Sequence, residues 1–110
     1  MINWNRVREL RDEIGEAEFA EVVAIFLEEV ESEIDVLRQQ PDLHNLEAQL
    51  HFLKGSALNL GFADFSTLCQ HGEVAACQGQ TSLVDISAIL RCYEQSRSVF
   101  VQGLPDLVAA

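Results

Sequence analysis

Between Glu16 and Gln39 the apolar residues Phe19, Val22, Val23, Phe26, Val30, Ile34 and Leu37 recur at intervals of three and four. The acids Glu21, Glu28, Glu29, Glu31 and Asp35 occupy the positions between them. This spacing gathers the apolar set on one stripe of an α-helix, whereas a strand would require alternation at period two. A long helix with one apolar stripe has to bury it against other elements, and that need restricts the chain to a packed helical architecture.

The remaining segments read the same way. A short helix from Trp4 to about Asp12, capped by Asn3, precedes a break at Ile14-Gly15. After the long helix, Pro41-Asp42 ends one element and opens the next, from about Leu43 to Leu60, which Gly61 closes. Asp64 caps a fourth helix reaching about Gln78, and "GQTS" is a turn. Ser82 or Thr81 caps a last helix to about Val101, with Leu83, Ile86, Ile89, Leu90 and Tyr93 facing inward. No Asn-Gly or Asp-Gly hairpin turn occurs. The expected fold is all-α: an up-down-up-down four-helix bundle with a short extra N-terminal helix over one end. One domain spans 1–110, with a core from about 3 to 103 and a loose tail from about Leu104. The long helix does not sustain heptads, so core packing is preferred over a coiled coil, with homodimerisation through this helix left open.

The formal net charge of −11 disfavours nucleic acid and anionic lipid as partners. The longest apolar run, "VVAIFL", is too short to span a bilayer, and "MINWNRVREL" has no apolar signal core, so a cytoplasmic protein is expected. An initial Met and an end soon after the last helix favour a stand-alone protein. Three cysteines, Cys69, Cys77 and Cys92, read as buried reduced thiols. On one helix Cys69 and Cys77 lie about 12 Å apart along the axis, too far for a disulfide. Cys69 and His71 point in different directions, and no Cys-x-x-Cys or His-Glu-x-x-His spacing exists, so no metal site is expected. No Walker or kinase signature is present, which argues against ATP-dependent self-phosphorylation.

The segment "LHFLKGSALNLG", Leu50 to Gly61, carries a glycine inside an otherwise good helix, at a cost of about 1 kcal/mol relative to alanine. At roughly 100° per residue, Leu46, Leu50, Leu53, Ala57 and Leu60 form the core stripe. His51 then points nearly opposite, into water. Its face is shared by His44 and Leu58, two turns either side, and by Ala48, Lys54 and Gly55, with Phe52 flanking. The small residues Ala48 and Gly55 clear space for another protein's backbone, and Leu58 and Phe52 supply exposed apolar contact surface. Near neutral pH a solvated imidazole is largely uncharged and bears a free lone pair. It can attack phosphorus and form a reactive P–N bond. Lys54, one turn on, can reach an anion held there. Stability is thus given up at Gly55 to admit a partner.

His51-x-Leu53-Lys54-Gly55-Ser56-Ala57-x-x-x-Gly61 resembles the signature of histidine-containing phosphotransfer (HPt) domains. "FSTLCQHGE" is similar to the family's next helix through Phe65, Leu68, Cys69 and Glu73, while Gly72 replaces the usual leucine. Leu50 stands where an alanine is common. Gly72 is expected to loosen the fourth helix near the site. The resemblance covers about residues 3–103 and implies a four-helix bundle with the active histidine exposed midway along one helix. It implies phosphorylation of His51 at Nε2, with Lys54 neutralising the phosphoryl charge and Glu73 accepting from Nδ1–H to orient the ring. It implies Gly55 as clearance for a receiver domain, in a docking face with His44, Ala48, Phe52, Leu58 and Asn59. Ser56 and Gly61 belong to the structural motif. The implied partners are response-regulator receiver domains, which supply phospho-aspartate and Mg²⁺, and a hybrid sensor histidine kinase. The chain needs no cofactor of its own.

His44 lacks a following Lys-Gly pair and is expected at the rim of the interface, not as the nucleophile. The acidic runs read as solvated helix faces. A second reading of the whole chain is a non-catalytic adaptor or phosphate sink that docks receivers with the same fold. A third is a plain bundle whose motif is accidental.

Overall fold

A computed structural model describes residues 1–39 and 43–109. Among these lie five α-helices: α1 Trp4–Ile14, α2 Glu16–Gln39, α3 Leu46–Leu60, α4 Ala63–Cys77 and α5 Ile86–Ala109, with a short 3₁₀ turn at Thr81–Leu83. The expected junction at Pro41-Asp42 falls outside the described residues. Helices α2 to α5 pack in a closed ring, each touching the next and α5 returning to α2, while α1 lies on α2 and α3. The molecule measures 45 × 21 × 21 Å. No helix among the described residues is long and apolar enough to cross a membrane.

Helices α2, α3 and α5 bury most of the stripe that spacing foretells, although Val22 of α2 is only half-buried and lies off the core. In α2, Phe19, Val23, Val30, Ile34 and Leu37 are buried, with Phe26 partly so. In α3, Leu46, Leu50, Leu53, Ala57 and Leu60 form the inner face, none more than 2% exposed. From α5 come Ile89, Tyr93 and Phe100. Tyr93 carries the one phenol into the core and donates from its hydroxyl to Glu31 Oε1 at 2.8 Å. That carboxylate also takes Arg97 Nε at 3.0 Å, so the buried ring keeps its polar tip satisfied.

The N-terminal end is tied down by backbone. Asn3 Oδ1 accepts from Arg6 N at 3.3 Å and caps α1. Asn3 N donates to Gly61 O at 2.6 Å and Ala63 N to Met1 O at 3.1 Å, with an isolated antiparallel bridge between Ile2 and Phe62. Gly61 ends α3 at φ 78°. Besides needing the left-handed conformation, it sits where a Cβ would come within 2.6 Å of Asn3 O. Trp4 stacks on Phe100 of α5, centroids 6.0 Å apart and planes at 1°, which fastens α1 over the end of the ring.

Several sequence expectations are corrected. Asp64 does not cap α4: the helix begins at Ala63 behind Phe62 with no side-chain cap bond, Asp64 lies inside its first turn, and the Met1 carbonyl takes the Ala63 N–H. Ser82 and Thr81 do not cap the last helix. Asp85 does, accepting from Ala88 N at 3.0 Å. Leu83 therefore precedes α5 in the 3₁₀ turn and is 69% exposed, and Val84 packs on the core instead. The last helix does not stop near Val101. It runs through Pro105 to Ala109, so the expected loose tail is helical. Proline removes one backbone donor, yet ending the helix earlier would draw Leu104 off the core and Gly103 off the Trp4 ring. Of the cysteines, Cys69 is buried and Cys92 intermediate, but Cys77 is exposed. Burial pushes the Cys69 thiol up to about 12.

Gly61→Ala combines a strained backbone with a steric conflict and should lower stability by about 1–3 kcal/mol. The urea midpoint should fall with an unchanged m-value. An unaltered midpoint would mean that the Asn3–Gly61 junction does not hold the end of the bundle.

Candidate functional site

Burial of the α3 stripe leaves the opposite side of that helix to solvent. Ala48, His51, Phe52, Gly55, Leu58 and Asn59 are all exposed there. Leu58 is 57% and Phe52 40% exposed, so apolar surface brackets the imidazole. A Cβ on Gly55 would meet nothing within 4 Å, and its φ is ordinary. Among the described residues nothing calls for a glycine there. Ser56 is buried on the inner side of the motif. Asn59 is engaged from α1, its Oδ1 accepting from Arg6 Nη2 at 3.4 Å.

His51, with a side chain 70% exposed, meets Glu73 of α4 through Nδ1, 2.8 Å from Oε1. Glu73 is only 17% exposed. Lys54, one turn after His51, places Nζ 2.9 Å from Oε2 and 3.3 Å from Oε1 of the same carboxylate. Hydrogen bonds from Lys54 and then from His51 hold the Glu73 carboxyl below its ordinary value. Ionised, it can only accept, which assigns the proton of a neutral His51 ring to Nδ1 and the lone pair to Nε2. The resting Lys54 ammonium is thus committed to Glu73, a pairing that the sequence does not announce.

His44 is not on the helical face where its spacing put it. Helix α3 begins only at Leu46, and His44 lies in the preceding turn. It still borders a crevice formed with Glu47, Ala48, His51 and Glu73. Glu47 escapes the sequence reading, although it is one turn before His51. It faces Cys77, whose thiol is raised by that carboxylate and is thereby a poorer thiolate source. Among the described residues no three His, Cys, Asp or Glu side chains gather as metal ligands. Gly72 lies within an unbroken α4. It is buried at the α3–α4 contact, with its missing Cβ 2.8 Å from Leu50 Cδ1. The larger residue at 50 and the smaller at 72 fit each other.

The lowered Glu73 carboxyl makes a signed prediction. Its contribution to stability is complete above the ordinary carboxylate value of 4.5 and is lost as pH falls through the depressed folded value. The stability gap between the protein and Glu73→Gln should be steady near neutral pH and close in acid. A gap independent of pH, followed by urea unfolding at several pH values, would contradict the His51–Glu73–Lys54 cluster.

A model of the Hpt domain family matches residues 21–109, leaving α1 and the first turn of α2 outside. No curated protein and no solved structure matches. Hpt domains are helical bundles that carry out histidine phosphotransfer in phosphorelays and interact with receiver domains of two-component systems. The family model extends across most of the chain, including α3 and α4 with His51, Lys54 and Glu73, and the chain belongs to the Hpt domain family.

Proposed function

We propose that the chain accepts a phosphoryl group at His51 Nε2 from a receiver-domain phospho-aspartate and donates it to another receiver aspartate. The observation that supports this reading is a ring anchored at Nδ1 by Glu73 at 2.8 Å, with its other edge open to solvent. The Nε2 lone pair attacks phosphorus, a P–N bond forms, and the P–O bond to aspartate breaks with its electron pair returning to the carboxylate. Nδ1 keeps its proton throughout. The ring becomes electron-poor as the P–N bond forms, and the Glu73 carboxylate stabilises that change while holding the tautomer. Lys54, paired with Glu73 at rest, is close enough to shift part of its charge toward the incoming phosphoryl oxygens. Reversal of the same steps delivers the group onward.

The other partners follow from this role. A hybrid sensor histidine kinase feeds the relay, and Mg²⁺ rides on the receiver, so this domain needs no cofactor. The chain works as a cytoplasmic monomer. Its receiver-facing surface is the exposed side of α3, Ala48, Phe52, Gly55, Leu58 and Asn59, with His44 at the rim. Gly55 leaves clearance for the partner, which accounts for a glycine that no internal contact demands.

Two tests bear on this. The protein and His51→Gln are mixed with phosphorylated receivers and Mg²⁺ and followed by intact mass. The protein should gain one acid-labile phosphoryl group and the variant none, with an unchanged fold. No gain from any receiver or from phosphoramidate would leave a docking module, and a gain in both would move the site to another histidine. Gly55→Ala should stabilise the bundle by about 1 kcal/mol. It should slow transfer from a receiver while leaving acceptance from phosphoramidate unchanged. Equal slowing with both donors would argue against clearance as the role of Gly55.

A further inference from the structure

Leu50 and Gly72 immediately precede His51 and Glu73, and they meet across the α3–α4 contact. A Cβ at Gly72 would lie 2.8 Å from Leu50 Cδ1, 3.3 Å from Val84 Cγ1 and 3.5 Å from Ile89 Cδ1. The Leu50 methyl therefore occupies the hollow that a side chain at 72 would fill. Leu50 is fully buried, so the methyl has no solvent-facing position to withdraw to, and Val84 Cγ1 and Ile89 Cδ1 crowd the same point. How deeply this knob seats sets the separation of α3 and α4 at that level. The 2.8 Å bond from His51 Nδ1 to Glu73 Oε1 spans the same two helices one residue further along each. A hydrogen bond weakens within a few tenths of an ångström of its optimum, so the site depends on that separation.

We propose that Leu50 and Gly72 act as a pair of positioning residues for phosphoryl transfer, their knob-in-hollow contact holding α4 at the distance from α3 that lets Glu73 fix the His51 tautomer. This rests on the reading of His51 as phosphoryl acceptor. Neither residue touches the reacting atoms. Each acts through its neighbour in the chain. A wedge at 72 or a void at 50 disturbs the same coordinate in opposite directions, and a reciprocal exchange of size restores it.

The full chain is made as Gly72→Ala, as Leu50→Ala and as the reciprocal swap Leu50→Ala with Gly72→Leu. Ring ¹⁵N spectra of His51 report the tautomer, receiver-to-His51 transfer reports the reaction, and urea unfolding reports stability. Both single variants should lose the Nδ1–H bias and transfer about tenfold to a hundredfold more slowly. The swap should recover the ring signals and the rate. A single variant that loses stability but keeps the native ring spectrum overturns the proposal, because it reduces the contact to ordinary packing. A swap that folds with an unbiased ring overturns it as well. The ring spectrum needs no phosphorylation, so failure of the unaltered chain to accept a phosphoryl group would defeat the functional reading and leave this test standing.

Discussion

Burial of one stripe on α3 sets the direction of the side chains around His51. Leu46, Leu50, Leu53, Ala57 and Leu60 must leave water together, and a rigid helix then has no freedom to choose what its far side presents. His51, Gly55 and Leu58 are delivered to solvent by the same rotation that puts the leucines in the core. The α2 stripe and the Tyr93–Phe62–Phe65 aromatic cluster, with centroids 5.3 to 6.4 Å apart, complete the receptacle for that face. A shift of α3 by one residue would turn His51 roughly 100° and expose a leucine.

The second constraint is the partly sheltered carboxylate of Glu73, which serves two donors at once, the Lys54 ammonium and the His51 ring N–H. With Lys54 at both oxygens and His51 at one, its charge is balanced and its protonation is disfavoured. A single ionised acceptor thereby joins a mobile ammonium to a fixed imidazole. Fold and chemistry meet here, since the carboxylate reaches the ring only if α4 packs closely, and α4 packs closely where Leu50 meets Gly72.

Features governed by a few consecutive residues were legible in the sequence. The α2 and α3 stripes, the Asn3 cap and the Gly61 terminus all follow from local spacing or local backbone preference. Several misreadings arise where a partner distant in the chain outweighs the local signal, whereas the start of α5 turns on a nearby competing cap. Asp64 looked like a cap, but α4 begins one residue earlier, behind the backbone bond that ties Ala63 to Met1, and Asp64 falls inside its first turn. Leu83 looked apolar and inward, but Asp85 started the helix later and Val84 filled the core position. The last helix reads as ending near Val101, but contacts of Gly103 and Leu104 with Trp4 and the core accompany a helix that continues past Pro105. Gly72 looked like a weakness because its value lies in a residue twenty-two positions earlier.

The sequence by itself determined that the chain is helical, where the core stripes run and that His51 faces water, because periodicity against a hydrophobic interior is a local property. Only the tertiary structure decided that Lys54 rests on Glu73, that Asn59 is taken by Arg6, that Leu50 seats against Gly72 and that His44 sits in a turn beside the crevice. Those relations depend on the distance between helices. That distance is set by side-chain volumes from several elements at once, which no single stretch of sequence contains.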